Sequence, residues 1–243
     1  MITFFSIPRG GDEHVEILKK AVKSWRKAAP KSQVVLFGDD PGVPETARLL
    51  RTDYVGDVSR NEHGTPLIDG VWKNAEELAS NDWLMEISGD VLLEETSLRD
   101  VIAAVGDYAR PFVIGQRWDS NPNATGLTLH APCGVDYFLF RRGTLGAIPP
   151  FAVGRSIYDN WLVWASLYRW RMQVVDATNV IKAVHHYHSF SNGTDTKADA
   201  VFMKERQQNE QLARDTGCNR WSGVDEAQLK IKTNYRVVGI EGR

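Results

Sequence analysis

Asp90 stands at the end of an apolar run, Trp83-Leu84-Met85-Glu86-Ile87, in the tripeptide Ser88-Gly89-Asp90. A carboxylate at the end of a buried strand is well placed to hold a divalent ion, because hard ions such as Mg2+ take oxygen ligands and share them with substrate phosphates. The same residues also read as a turn-forming Gly-Asp after a strand. Ser6-Ile7-Pro8-Arg9-Gly10-Gly11 follows the first apolar run of the chain. Its glycines let the backbone approach a phosphorylated ligand and Arg9 can pair with a phosphate; the bland reading is a flexible loop. Asp39 and Asp40 lie in a breaker cluster, Gly38-Asp39-Asp40-Pro41-Gly42, where Asp-Pro-Gly also forms a turn. His185, His186 and His188 make the chain's one histidine cluster, which reads as metal donors through neutral imidazole or as polar surface. Asp159 precedes Trp161, Trp164, Tyr168 and Trp170. It can take a proton from a hydroxyl within reach, cap a helix, or both.

Elements must carry these residues to one place. Ile2 to Ser6, Val34 to Phe37 and Trp83 to Ile87 read as short buried strands. A helix opens at Asp12 or Glu13, with Val15, Leu18, Val22 and Trp25 as its apolar face. A shorter unit covers Thr46 to Val55, a helix covers Pro66 to Ala79 with proline in its first turn, and Ser97 caps a helix from Leu98 to Val105. Strand–helix alternation of this kind builds a mainly parallel sheet with helices on both faces, whose ligands collect at the carboxyl ends of the strands. That predicts one rim for Ser6 to Arg9, Gly38 to Asp40 and Ser88 to Asp90. Beyond it, Phe112 to Gln116, Val135 to Phe140 and Val174-Val175 read as strands, Asp119 to Thr125 as a polar loop, and Asp199 to Arg214 as a polar surface helix.

The bulk numbers agree with one α/β domain. The chain has 243 residues, 42% hydrophobic and 25% charged, enough to bury a sizeable core. A formal net charge of -2 argues against attachment to nucleic acid through a strong overall positive field. The start resembles no signal peptide and no apolar run reaches membrane-spanning length. Cys133 and Cys218 lack metal-ligand spacing. A reducing, cytoplasmic setting is the simplest expectation, in which the sequons at Asn123 and Asn192 are accidental.

Three ordered blocks resemble a subgroup of the GT-A, family-2-like glycosyltransferases. The first is Asn61-Glu62-His63-Gly64-Thr65-Pro66-Leu67 with Ala75 to Ala79 and Trp83 to Leu93. The second is Gly134-Val135-Asp136-Tyr137-Phe138-Leu139-Phe140-Arg141-Arg142-Gly143, then Ile148 to Arg155 and Tyr158-Asp159-Asn160-Trp161-Leu162. The third is Ala183 to Ser189. Two positions depart from the family pattern. Its Asp-x-Asp metal motif is Ser88-Gly89-Asp90 here, and the Asp after its second late histidine is Ser189.

The resemblance implies an α/β, GT-A (Rossmann-like) fold with a mixed, mainly parallel sheet flanked by helices. Residues 1–110 would form the nucleotide-sugar-binding half, 111–195 the acceptor and catalytic half, and 196–243 a C-terminal helix and tail. It implies transfer of a hexosyl or pentosyl group from a nucleoside-diphosphate sugar to an acceptor hydroxyl. Asp39 or Asp40 would hold the nucleoside, and Ser6, Pro8 and Arg9 would line the donor site. Asp90 with His188 or His185 would bind Mn2+ or Mg2+, Arg155 would face the leaving diphosphate, and Asp159 would be the base. Asp136, Trp118 and Tyr158 would meet the acceptor, which can be a glycan, a small molecule or a modified DNA base. Two rival readings are a sugar-phosphate nucleotidyltransferase, for which Pro8-Arg9-Gly10-Gly11 is a poor phosphate loop, and a non-catalytic domain that binds a glycan or a partner.

Overall fold

A computed structural model describes residues 1–120, 126–187 and 196–240, with the side chains of 196–199 excepted. The first half alternates as the sequence predicts: β1 (Ile2–Ser6), α1 (Asp12–Ala28), β2 (Gln33–Phe37), α2 (Val43–Leu50), β3 (Asp53–Val55), α3 (Ile68–Leu78) and β4 (Trp83–Ile87). Then come β5 (Val91–Glu94), α4 (Leu98–Val105), β6 (Pro111–Ile114), β7 (Trp118–Ser120), β8 (Leu127–Leu129) and β9 (Tyr137–Arg141). The last part holds α5 (Tyr158–Trp164), continued by a π turn over Ala165–Arg169, then β10 (Gln173–Asp176), β11 (Lys182–His185), α6 (Thr196–Asp215), β12 (Leu229–Ile231) and β13 (Val237–Gly239).

Among the described residues, one sheet has nine strands in the order β13-β12-β10-β6-β9-β4-β1-β2-β3, and a second has four, β5-β11-β7-β8. In the large sheet β1 runs parallel to β2 and β4, β2 to β3, and β10 to β6 and β12. Antiparallel β9 separates β4 from β6, and β13 closes the edge antiparallel to β12. The sheet is therefore mixed and mainly parallel, and its central strands are buried on both faces, which explains their near-continuous apolar sequences. One cluster packs Leu18, Ala21, Val22 and Trp25 of α1 against Phe4, Leu36 and Met85. The other packs Trp72 of α3 and Trp161 of α5 against Phe5, Phe138 and Phe140.

Several boundaries differ from expectation for local reasons. Helix α3 starts at Ile68 rather than at Pro66, because Pro66 and Leu67 make antiparallel bridges to Arg60 and Ala152 and are extended. Ser97 occupies the N-cap position of α4 without making a side-chain capping bond. Helix α6 is not a free surface helix: Glu205, Asn209 and Ala213 are fully buried against the domain. No helix among the described residues is long and apolar enough to cross a membrane.

Candidate active site

The strand period and the glycines build the site. The strand β4 of the large sheet leads through Ser88-Gly89-Asp90 straight into β5 of the small one, so the tripeptide is the joint between the sheets. Glycine lets the two loops close there, since a Cβ on Gly89 would lie 2.8 Å from Pro8 Cβ. The two neighbouring strand ends are stitched just as closely. Gly11 N–H donates to Pro41 O at 2.9 Å, and a Cβ on Gly10 would meet the Pro41 backbone at 2.6 Å. Above these loops opens a cavity of about 340 Å3, lined among others by Pro8, Arg9, Gly89, Asp90, Arg155 and Asp159.

Four carboxylates face this cavity: Glu86, Asp90, Asp136 and Asp159. Asp159 sits in the first turn of α5, behind Ile157, which holds a left-handed φ of 83° despite its β-branched side chain. Asp159 is thus inside the helix rather than its N-cap, and its Oδ1 accepts from Asn160 N–H at 2.9 Å. Burial lifts its carboxyl from 3.8 to about 7, with nearby Asp136 adding to the shift. Glu86, within β4, is driven well above the carboxylate range by burial and by Asp136, Asp159 and Asp90. Burial also raises Asp136, against the pull of Arg117, whose Nη1 donates to Asp136 Oδ2 at 3.0 Å.

A cationic wall balances these acids. Arg117 bridges Asp136 to Asp119, donating from Nε to Asp119 Oδ1 at 2.8 Å, and His130 Nδ1 lies 2.6 Å from Asp119 Oδ2. His185, at the end of β11, lies with Nε2 3.5 Å from Asp90 Oδ2. Burial opposes the charged form of His185, but the hydrogen bond and charge of Asp90 raise it overall. Arg155 enters the cavity held from behind, with Nε donating to the buried Glu205 of α6 at 2.6 Å.

The structure brings together Pro8, Arg9, Asp90, Asp136, Arg155, Tyr158, Asp159 and His185 of the residues singled out from sequence. Others lie elsewhere. Ser6 is buried in β1, below the rim. Asp39 and Asp40 both face Arg60, which pairs with Asp39 and lies 3.6 Å from Asp40, outside the cavity lining. Trp118 is in the small sheet between β8 and β11 and does not line the cavity. His188 lies outside the described residues. Glu86, Arg117, His14 and Trp221 line the cavity without having been singled out. A glutamate inside an otherwise apolar strand was a readable signal for Glu86; nothing in the sequence marked the other three.

For a divalent cation, Asp90 and His185 offer one oxygen and one nitrogen donor face to face. No group of three or more His, Cys, Asp or Glu among the described residues has metal-holding geometry. Two donors fit a cation whose sphere is completed by substrate phosphates, the usual habit of Mg2+. They do not fit a self-sufficient protein cage.

No family model and no curated protein matches the sequence. Solved structures do match. S. aureus TarS 1–349 in complex with UDP superposes with a TM-score of 0.53 at 12% identity over 88% of this chain and 70% of that one. TarS in complex with UDP-GlcNAc gives 0.51 at 9%, with the same coverage. The mannosyltransferase PcManGT from Pyrobaculum calidifontis, in complex with GDP-Man and Mn2+, gives 0.53 at 12% over 90% of this chain and 65% of that one. With its mixed, mainly parallel sheet flanked by helices, the chain has the GT-A-like glycosyltransferase fold of these nucleotide-sugar transferases.

Proposed function

We propose that this chain is a glycosyltransferase that moves a sugar from a nucleoside-diphosphate donor to an acceptor hydroxyl, with Asp159 as the base. One observation carries the reading: Asp159, its carboxyl raised by burial, shares one cavity with Asp90, Arg9 and Arg155 at the strand ends. A base that must be charged at neutral pH, yet basic enough to accept a proton, works best with a pKa near the operating pH. The fold shared with transferases that bind UDP-GlcNAc and GDP-Man supports the donor class.

The donor diphosphate would lie along the loops of β1 and β4, where Gly89 keeps backbone and phosphate close. Arg9 and Arg155 would neutralise charge on the leaving diphosphate, and the Glu205 pair keeps Arg155 from swinging away. Asp90 and His185 would hold Mg2+ or Mn2+, which when bound supplies further neutralisation of that charge. Asp159 takes the hydroxyl proton as the oxygen attacks the anomeric carbon. Tyr158 and the half-exposed Trp221 offer ring faces for the acceptor. Arg60 would orient Asp39 toward the nucleoside rim. Two free cysteines accord with a cytoplasmic setting.

A thermal-shift panel of sugar nucleotides with and without Mn2+ tests the donor site, since a ligand of the native state raises Tm by mass action. If no nucleotide raises Tm under either condition, the donor-site reading fails. Asp159→Asn should cut turnover by about 10²–10⁴-fold while leaving donor binding intact. Near-normal turnover would remove Asp159 as the base.

A further inference from the structure

Glu86 is a carboxyl where its strand has no need of one. It is the fourth of the five residues of β4, in register with Phe5 of β1 and Phe138 of β9, and the other residues of the strand are Trp83, Leu84, Met85 and Ile87. It is 5% exposed, lines the cavity, and its Oε2 is buried with no hydrogen-bond partner among the described residues. An apolar residue would complete the strand without that cost, because an unsatisfied buried polar atom is unfavourable and such atoms are rare in native folds. The missing partner is therefore to be sought in what enters the cavity.

Position narrows the chemistry of that partner. The strand period of two puts Glu86 on the same side of the chain as Ser88, two residues deeper than the joint that carries Asp90. Asp136, Asp159 and Asp90 are the charges acting on it. A phosphate would be repelled from this floor. A hydroxyl is not: it can accept from a protonated carboxyl or donate to an ionised one. Burial favours the protonated form, which adds no fourth negative charge. A diphosphate anchored at the strand ends would leave its glycosyl ring over this floor.

Resting on the donor-site reading above, we infer that Glu86 is a specificity-determining residue that hydrogen bonds a ring hydroxyl of the donor's sugar. A site built to bond a hydroxyl discriminates strongly against the analogue that lacks it, because its own buried group is then left unpaired.

The test is a binding cycle on the full chain by calorimetry. Wild type, Glu86→Gln and Glu86→Leu are each titrated, with and without Mn2+, with the common nucleoside diphosphates, with their sugar conjugates, and with the monodeoxy analogues of whichever conjugate binds. Wild type should prefer the parent over one monodeoxy analogue by about tenfold or more. Glu86→Leu should bring that ratio near one while its Kd for the bare nucleoside diphosphate stays within about twofold. Glu86→Gln, which keeps a donor and an acceptor, should retain most of the preference. A preference unchanged in Glu86→Leu overturns the inference and leaves the donor-site reading standing. So does an equal loss for sugar conjugate and bare nucleotide, which a structural role would produce. If wild type binds neither nucleotide nor conjugate, the donor-site reading falls and the inference with it.

Discussion

At the scale of single residues, Asp159 ties the site to pH. With its carboxyl at about 7, the fraction in the basic form grows as pH rises through 7. The acidic limb of kcat/KM should therefore fall off near 7 in wild type, well above the range of an ordinary Asp, and a limb near 4 would show that burial does not tune this group. The same shift acts on stability with the opposite sign to a salt-bridged acid. Between 3.8 and about 7 the native state holds a proton that the unfolded chain has released, so stability declines as pH rises through that window. Urea melts at pH 5 and pH 8 should show a smaller difference in Asp159→Asn than in wild type. Ile157, two residues before it, spends about 1–3 kcal/mol on its left-handed backbone, offset by its buried side chain. That strain fixes where the first turn of α5 points. Asp90 and Asp159 were legible in the sequence because acids at element edges stand out from the hydrophobic pattern. Glu86 was readable as an acid inside an apolar run but was not singled out, and Arg117 pairs across a loop with Asp136, which hydrophobic spacing does not show.

At the scale of elements, the legible parts are those held by apolar periodicity. Helix α1 and strands β1, β2 and β4 declare themselves through residues that are buried because they are apolar. Helix α6 does not, because what it buries is largely polar. Asn209 accepts from Ala152 N–H at 2.9 Å and donates to Ala152 O at 3.0 Å, and Glu205 takes hydrogen bonds from Arg155 and Asn61. Such a helix reads as solvated until its partners are known. The small sheet was hidden for a related reason: its strands have three or four residues each and come from four separate stretches of chain. Docking through Asn209 makes a specific expectation. Asn209→Ala leaves the Ala152 amide and carbonyl unpaired in a buried position, and should cost about 1–3 kcal/mol in urea unfolding. A change within ±0.5 kcal/mol would mean that α6 is held by Glu205 and its apolar contacts rather than by Asn209.

At the scale of the molecule, the cavity lies where the two sheets meet, so a ligand there touches both. Arg9 and Asp90 belong to the ends of the large sheet and His185 to the small one, while Arg155 brings in α6 through Glu205. A donor bound across this joint should stabilise the whole domain. At about 100 times its Kd it contributes about 2.7 kcal/mol, and a chain of this size gains about 2–4 °C per kcal/mol, so Tm should rise by about 5–10 °C. The joint itself is Gly89, packed so closely under Pro8 that a methyl group cannot enter without moving one loop. Gly89→Ala should therefore remain folded, with overpacking costing about 1–3 kcal/mol in the unliganded state, yet lose more than half of the ligand-induced rise. Asp159→Asn, which changes the proposed base and not the joint, should keep that rise. The two variants thus separate the proposed donor platform from the proposed base. An undiminished ligand shift in Gly89→Ala would mean that the donor does not bind across the strand ends, whatever the fate of Asp159.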